Sequence, residues 1–317
     1  MQEENNYQPD NLEYEQNMRE LFYLLIKERL TIFSITAVIS IIAVIYSLSL
    51  PNIYQSKATL APVGTSSISS SLQQYSSLAG LAGISIPSTE DESNSAQAIL
   101  KIKSLSFFEN NILPNILLHD LMAVKSWNPD TELINYDSKK YLKDSNKWVR
   151  KFSYPQKQIP SSQESFEIFK DKHLALSEDK ISGFVTLSIR HQSPLIAKEW
   201  TELIVDEINN FYRQKDKLAS EKAINFLNQQ IASTGLSEIK EAIAVLLQEE
   251  TQKLTLVEAN EFYVFDYIDP PAIMEEKSEP SRALICILSF MLGGLMGVLF
   301  VLARNYFYKK DLNGLLN

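Results

Sequence analysis

The three histidines are the side chains best suited to acid–base chemistry or metal binding. His119, His173 and His191 lie far apart in the sequence and in no recognised ligand spacing. A fold can still bring them together as ligands or as a base, but we expect surface or capping roles. The single cysteine, Cys286, allows no disulfide within the chain and no cysteine-rich metal site. We therefore expect no metal and no cofactor.

Paired carboxylates are the next candidates for chemistry. They occur at Glu249–Glu250 and at Glu275–Glu276, but adjacent residues of a helix do not share a face. A solvated helix face is the simpler interpretation. The chain also lacks a Walker-A loop, a G-x-S-x-G elbow and an H-E-x-x-H motif. An enzyme that cleaves or transfers glycan would need a carboxylate pair or a nucleophile, so we predict that the protein is not an enzyme.

Two sets of residues could contact a sugar polymer. The first is a basic cluster in a predicted helix: Arg213, Lys215, Lys217 and Lys222. Such a cluster could hold an acidic glycan, but a solvated or intersubunit helix face is the favoured interpretation. The second set is the tryptophans: Trp127, Trp148 and Trp200. They could stack on sugar rings, although core packing is the usual fate of a lone tryptophan.

The composition is that of a folded chain with no affinity for nucleic acid. Charged residues make up 22% of the 317 residues, apolar residues make up 45%, and the net charge is -9. This length suggests one or two domains. Binding to nucleic acid rewards clustered lysine and arginine, so the acidic balance argues against a nucleic-acid partner.

Two uncharged apolar runs lie near the two ends of the chain. They span Thr31 to Leu50 and Ala283 to Ala303. About twenty apolar residues cross the hydrocarbon core of a bilayer as a helix, which satisfies its own backbone hydrogen bonds. The first run follows mostly polar, acidic residues and precedes no A-x-A-like site, so a signal anchor is favoured over a cleaved signal peptide. Two buried core helices remain the alternative.

The basic residues that flank these runs predict their orientation. On the outer flanks lie Arg19, Lys27, Arg29, Arg304, Lys309 and Lys310, and on the inner flanks lie Lys57, Lys277 and Arg282. The positive-inside rule then places residues 1–30 and 304–317 in the cytoplasm, with transmembrane helices at 31–50 and 283–303. In a Gram-negative cell the protein would lie in the inner membrane, and residues 51–282 would form a periplasmic domain.

The predicted outer domain mixes strands with helices. Residues 54–63, 183–192 and 261–271 alternate or are β-branched, which predicts three strands. Residues 64–77 are rich in serine and predict a loop, followed by a small apolar segment. Residues from Ser95 predict a helix with a break near Ser104. The fold class is therefore an α+β membrane protein, with an α/β base (51–193 and 261–282) and a helical hairpin (194–260).

The hairpin region is the most regular part of the chain. Residues 195–232 contain no glycine or proline, and one helical face recurs along them: Trp200, Ile204, Ile208, Phe211, Leu218, Ala223, Leu227 and Ile231. Six of these are expected to form the oligomer or hairpin face: Trp200, Ile204, Ile208, Phe211, Leu227 and Ile231. Gly235 suits a left-handed cap and Ser237 an N-cap, so a second helix is predicted over 238–260. The middle of the first helix, 213–217, is polar nearly all round. One subunit offers it too little cover, so we expect a homo-oligomer with helices side by side.

The last apolar run contains a packing motif. Gly293 and Gly297 form a G-x-x-x-G step with Gly294 beside them, and Pro280 precedes the run. In lipid, small residues let two helix backbones approach closely. We therefore expect these four residues to form a membrane helix-packing site, with the first apolar run, another subunit or another protein as the partner.

This C-terminal arrangement resembles the Wzz-type polysaccharide chain-length determinants. Their signature is a proline-rich segment, Ser-Pro-Lys, eleven residues, and Gly-Gly-Met-x-Gly-Ala-Gly. Here Glu279-Pro280-Ser281, Arg282 to Leu292 and Gly293 to Leu299 occupy those positions, and Pro271 begins the proline-rich segment. The sequence departs from the pattern at Met274, Glu279, Ser281 and Leu299. Three further segments resemble segments of the family and occur in the same order as in the family. They lie after the first apolar run, before the long helix and before the second apolar run.

The resemblance implies a function in surface-polysaccharide synthesis. It implies a ring or bell of several subunits that sets the modal length of a lipid-linked polysaccharide, such as O-antigen, made by a Wzy-type polymerase. A related class carries a tyrosine kinase after the second span, which we do not expect here. Length could be set by a ruler or by a timer. Three alternatives remain: an inner-membrane component of capsule or polysaccharide export, a two-span sensor, and a periplasmic glycan enzyme.

Overall fold

The computed structural model describes residues 23–63, 91–260 and 262–315. The predicted serine-rich loop and the small apolar segment after it lie outside the described residues. The helices are α1 (Arg29–Ser49), α2 (Asp91–Ile102), α3 (Leu105–Phe107), α4 (Leu118–Met122), α5 (Ser162–Ile168), α6 (Pro194–Ser233), α7 (Ser237–Ala259) and α8 (Arg282–Leu315). A π-helical turn follows α3 at Phe108–Ile112 and another follows α5 at Phe169–His173, and a short 3₁₀ helix covers Leu113–Asn115.

The strands form one larger sheet and two small hairpins. They are β1 (Tyr54–Pro62), β2 (Val124–Trp127), β3 (Ile134–Tyr136), β4 (Tyr141–Leu142), β5 (Lys147–Trp148), β6 (Leu174–Glu178), β7 (Val185–His191) and β8 (Phe265–Asp269). The larger sheet has the order β6-β7-β1-β8, and β2–β3 and β4–β5 each form a two-stranded sheet. All of the pairs are antiparallel.

The chain divides into two compact units. One consists of residues up to Pro51 together with those from Glu279, and it contains α1 and α8. We call it the helix-pair unit. The other spans Asn52–Ser278 and contains the sheet, the small hairpins and the long helices. We call it the outer unit.

The core of the outer unit lies between the larger sheet and the first half of α6. Alternate residues of β7 point inward, and Val185, Leu187 and Ile189 are completely buried. The inward face of β1 contributes Ala58 and Leu60, also completely buried. Because this sheet has one face against the core, the alternation in the sequence predicted β1 and β7 correctly.

Helix α6 begins where the sequence supplies a capping residue. The Ser193 hydroxyl accepts a hydrogen bond from the Ile196 backbone N–H at 3.5 Å, and Pro194 is the first helical residue. Proline suits that position because its missing N–H would have no partner in the helix. The predicted long helix is therefore confirmed, and so is the return helix α7, which packs against it.

Four local predictions need correction. The linker between α6 and α7 stays extended, with Thr234 and Leu236 flanking the two helices, so Gly235 does not adopt the left-handed conformation. Leu236 takes the N-cap position, and Ser237 is the first residue of α7. The third predicted strand is shorter than expected, at Phe265–Asp269. The sequence also missed β6, a fourth strand that lies at the edge of the sheet.

Helices α1 and α8 have the composition of membrane spans. Their most apolar windows have mean hydropathies of 2.2 and 2.6, over Arg29–Ser49 and Arg282–Phe307. Only 11% and 17% of these windows are buried, whereas a core helix of a soluble protein is mostly buried. The mixed fold, the two flanking apolar helices and the helical hairpin confirm the predicted fold class.

Candidate functional site

The two apolar helices pack together at two glycines of α8. A Cβ atom added to Gly293 would lie 3.1 Å from the Thr36 Cα atom, and one added to Gly297 would lie 3.1 Å from the Ile32 Cα atom. Both distances are tighter than nine in ten real Cβ contacts, so α1 would have to shift by a few tenths of an ångström for a Cβ atom and farther for a larger side chain. The partner of this glycine face within the chain is therefore α1.

The other predicted packing residues do not join this contact. A Cβ atom added to Gly294 would meet nothing within 4 Å. Pro280 lies half-buried just before the start of α8. At the other end of the pair, the Arg304 guanidinium donates to the Glu28 carboxylate at 2.8 Å. Gly294 is thus a natural control for Gly293 and Gly297.

The predicted apolar face of α6 divides into two parts. Trp200, Ile204 and Ile208 are 5%, 0% and 0% exposed and belong to the hydrophobic core, against which Phe211 also packs. Their side chains are covered by the sheet of the same subunit, which corrects the expectation that they form an oligomer face. Leu227 and Ile231, farther along the helix, are half-buried.

The distal part of the helical hairpin exposes apolar side chains. They are Leu218, Phe226, Leu236, Ile239, Val245 and Leu246, with exposures between 45% and 61%. Leu218 belongs to the helical face that the sequence predicted, whereas the other five were not singled out. An exposed apolar surface of this kind is typical of a protein–protein contact.

The polar middle of α6 is covered partly by the residues of α7 and the segment after it. Lys217 forms an ion pair with Glu258 at 2.5 Å, and the Tyr263 hydroxyl donates to the Asp216 carboxylate at 2.6 Å. Arg213 donates to the Asn260 carbonyl at 3.0 Å. The return helix therefore supplies some of the cover that we had expected from another subunit.

The predicted glycan-binding cluster is therefore largely engaged within the chain. Arg213 and Lys217 make the contacts just described, and the Lys215 ammonium lies 5.2 Å from the centre of the Tyr212 ring. Lys222 is exposed. These side chains share one stretch of helix but do not converge on a cavity.

Asn209 joins α6 to the last strand of the sheet. Its carboxamide oxygen accepts hydrogen bonds from the backbone N–H groups of Val264 and Phe265, at 2.7 and 2.9 Å, and its amide donates to the Phe265 carbonyl at 2.9 Å. The residue is 4% exposed. One buried side chain thereby satisfies backbone groups at the edge of the sheet that would otherwise lack partners.

Two of the three histidines meet beside Trp200. The rings of His173 and His191 lie 5.6 Å apart, and each lies within 5.6 Å of the Trp200 ring. The His191 Nδ1 atom accepts from the Ser193 backbone N–H at 2.9 Å, so its Nε2–H donates to the Asp120 carbonyl at 3.0 Å. His173 Nδ1 lies 2.7 Å from the Arg190 carbonyl.

The surroundings of this pair favour neutral rings. Burial lowers the pKa of His173 to about 3, with a further contribution from the neighbouring His191. Burial also lowers the pKa of His191. His119 lies apart from the pair, stacked on Tyr141 at 4.6 Å. Because the ring nitrogens of the pair bond to the backbone, we interpret both histidines as packing residues, and no group of three metal-ligating side chains occurs among the described residues.

The tryptophans lie in three different surroundings. Trp200 belongs to the core, and Trp127 packs edge-on against Tyr54 with ring centres 5.4 Å apart. Trp148 packs on Tyr141 at 5.3 Å and also lines a cleft of about 990 Å³ in the outer unit. The sequence analysis missed this cleft because its walls come from segments that lie far apart in the chain.

A comparison with known families finds a match in the first third of the chain. Residues 15–110 match the family model described as "Wzz: Chain length determinant protein". Over these residues the resemblance to the Wzz-type chain-length determinants is confirmed. The matched range includes α1 of the helix-pair unit and β1 and α2 of the outer unit.

Two solved structures that match most of the chain have little sequence in common with it. One, a "full-length bacterial polysaccharide co-polymerase", has 14% identity and a TM-score of 0.40, over 91% of this chain and 97% of that one. Another, a "Fragment of WzzB, Polysaccharide Co-polymerase from Salmonella Typhimurium", has 11% identity and a TM-score of 0.31, over 72% and 100%. No curated protein matches the chain.

Proposed function

We propose that this Wzz-type protein regulates the modal length of a lipid-linked, O-antigen-like surface polysaccharide made by a Wzy-type polymerase. It acts as a non-catalytic co-polymerase. The observation that carries the proposal is the family match at residues 15–110, which includes the first apolar helix and the first strand of the base. The pair of apolar helices in the same chain supports it.

The proposed location is the inner membrane, with the outer unit in the periplasm and both termini in the cytoplasm. Helices α1 and α8 are long enough to span a bilayer as a hairpin of helices. The close approach at Gly293 and Gly297 supports a stable pair inside the lipid. Basic residues predominate on the outer flanks of both runs, as the positive-inside rule requires for cytoplasmic ends.

The proposed mechanism depends on assembly instead of bond chemistry. Several subunits stand side by side through the distal parts of their helical hairpins, where apolar side chains are exposed. The assembly holds the growing polymer near the polymerase, and the length of the polymer follows from the geometry or the lifetime of that complex.

A gel of surface polysaccharide from cells with and without the gene tests this proposal. We expect the modal cluster of bands to be replaced by a smooth decay of mostly short chains, and expression of the intact protein should restore the cluster. An unchanged ladder with polymer retained in the cell would instead indicate the second candidate function, inner-membrane polysaccharide export. Unchanged polysaccharide throughout would contradict both.

The helix-packing site provides a matched test in the same assay. Gly297→Leu places a large side chain where even a Cβ atom would lie 3.1 Å from the Ile32 backbone, so we expect it to separate α1 from α8 and to shift or abolish the modal length. Gly294→Leu faces open space and should retain the modal length. Equal effects of the two substitutions would argue against a role for this helix contact.

A further inference from the structure

The cleft beside Trp148 has the size of a ligand-binding site. Its volume of about 990 Å³ lies at the upper end of the range of roughly 300–1,000 Å³ that is usual for ligand pockets. Its walls come from α4, the turn between β3 and β4, the segment after β5, α5 and the end of β7. It lies entirely within the outer unit and does not include the basic cluster of α6.

The charge of the cleft is opposite to that of the chain. The chain has a net charge of -9, but three acidic side chains line the cleft against six basic ones: Lys139, Lys140, Arg150, Lys151, Lys172 and Arg190. A concave surface of one sign attracts ligands of the opposite sign. The cleft should therefore attract anions.

The three acidic side chains are already engaged inside the protein. The Glu164 carboxylate accepts hydrogen bonds from both terminal nitrogens of Arg150, the second at 2.7 Å. Asp120 accepts the Tyr136 hydroxyl at 2.6 Å, and Asp137 accepts the Lys139 backbone N–H at 3.0 Å. Among the basic groups of the cleft, these carboxylates directly neutralise Arg150. They leave the lysine ammonium groups of the cleft without a close countercharge among the described residues.

The lysines retain hydrogen-bond donors for a ligand. Lys139, Lys151 and Lys172 are exposed, and in the described part of the chain no carboxylate forms an ion pair with them. Lys140 donates one proton to the Met122 carbonyl at 3.2 Å and has two more to offer. Carboxylate and phosphate groups are the natural acceptors for such donors.

One further feature of the wall suits a sugar ring. Trp148 is half-buried, lines the cleft and packs against Tyr141. An aromatic side chain matches the apolar face of a sugar better than it matches a simple anion.

We propose that this cleft binds an acidic saccharide, with its carboxylate or phosphate groups on the lysines and a sugar ring on Trp148. The choice of a saccharide rests on the proposed function, because the polymer under control would be the occupant. The site would give the outer unit direct contact with the growing chain. It would place that contact in the base of the outer unit.

Binding to the full-length protein in detergent micelles tests the proposal, with an octamer of galacturonic acid as the probe. We expect saturable binding by calorimetry, accompanied by a change in tryptophan emission, and weaker binding as salt increases. The neutral octamer of glucose should bind with a dissociation constant at least about tenfold higher, a difference in binding free energy of about 1.4 kcal/mol. Absence of acidic octamer binding, or equal binding of the neutral octamer, would overturn the proposal.

Two triple variants of equal charge locate the site. Lys139→Gln, Lys151→Gln and Lys172→Gln together remove three exposed cations from the cleft, and we expect affinity for the acidic octamer to fall about tenfold or more. Lys57→Gln, Lys240→Gln and Lys253→Gln remove three exposed cations that lie outside the cleft and should change affinity less than about twofold. Equal losses in both variants would show that only net charge matters and would overturn the proposal.

A substitution of the aromatic side chain distinguishes a saccharide site from an anion site. Trp148→Leu should weaken binding of the acidic octamer, while circular dichroism shows that the fold is retained. The opposite result is that inorganic phosphate, at the same total concentration of negative charge, displaces the octamer completely and Trp148→Leu has no effect on binding. The cleft would then bind anions in general, and the proposal would fail. Such a failure would leave the gel assay unaffected, so the proposed function would still be judged separately.

Discussion

The two halves of helix α6 are held by different surroundings. The first half packs on the sheet of its own subunit, with Ile204 and Ile208 completely buried. The second half packs against α7 and exposes apolar side chains such as Leu218 and Phe226. One half is therefore fixed by the core of the outer unit, whereas the other leaves apolar side chains exposed. Substitutions in the two halves should affect different properties.

The largest effect is expected in the buried half. Ile204→Ala removes a completely buried side chain from the core, which should lower the free energy of unfolding by about 2 to 5 kcal/mol. Leu218→Ala, on the same helix but 53% exposed, should change it by no more than about 0.5 kcal/mol. Urea unfolding followed by tryptophan emission measures both, because all three tryptophans lie in the outer unit. Similar costs for the two substitutions would show that the halves are equally packed.

A second effect concerns the contact between the buried half and β8. Asn209→Ala leaves the N–H groups of Val264 and Phe265 without their acceptor, so we expect a loss of about 2 to 4 kcal/mol in the free energy of unfolding. Asn225→Ala, at an exposed position of the distal half, is the control and should be nearly neutral. An equally small cost for Asn209→Ala would mean that water replaces the carboxamide.

The sequence predicted the helices of the hairpin better than it predicted what packs against them. Trp200, Ile204 and Ile208 recur with the period of a helix, which indicates that the face is buried but not what buries it. A sheet of the same chain and a second subunit produce the same pattern, and we chose the subunit for residues that the sheet covers. Asn209 gave no signal at all, because a buried asparagine looks like a solvated one until β8 is in place.

The candidate site was harder to predict for a related reason. Gly293 and Gly297 share a local spacing, so the sequence identified them, but only the packed pair distinguishes them from Gly294. The cleft depends on residues from Asp120 to Gln192 that meet only after folding. Likewise β6 was missed because five residues with a polar end carry little periodicity.

A third, pH-dependent effect also belongs to the buried half. The pKa of His173, beside Trp200, is about 3 in the folded protein, against 6.5 for a free histidine. Below pH 6.5 the unfolded chain therefore binds a proton that the folded chain refuses, and the free energy of unfolding falls by up to about 1.4 kcal/mol per pH unit. At pH 5 this histidine alone should cost about 2 kcal/mol.

The variant His173→Gln isolates this contribution. It removes the titrating ring, so the fall in stability between pH 6.5 and pH 4 should become shallower by about 1.4 kcal/mol per pH unit. The remaining slope should reflect His191, whose pKa is also lowered by burial, together with the carboxylates. Unchanged slopes would mean that His173 is solvated in the folded protein.

The smallest effect on stability, and the largest on assembly, is expected in the distal half. Phe226 is 59% exposed, so Phe226→Ser should change the free energy of unfolding by no more than about 0.5 kcal/mol. If hairpins stand side by side through this surface, the same substitution removes an aromatic contact from each interface, and aromatic anchors are the residues that interfaces depend on most. We expect the oligomer to dissociate at a protein concentration about tenfold higher than that of the unmodified protein.

Mass measurements across a dilution series in detergent give the result, with Asn225→Ser as the neighbouring polar control. Dissociation of the Phe226 variant alone would assign assembly to the distal half of α6 and leave the buried half to the fold. Retained assembly would move the subunit contact elsewhere, and the open side of α8 at Gly294 would then be the first place to test. In that case, the exposed distal half would be free to contact the polymer or the polymerase, and the division between the halves would separate fold from ligand instead of fold from assembly.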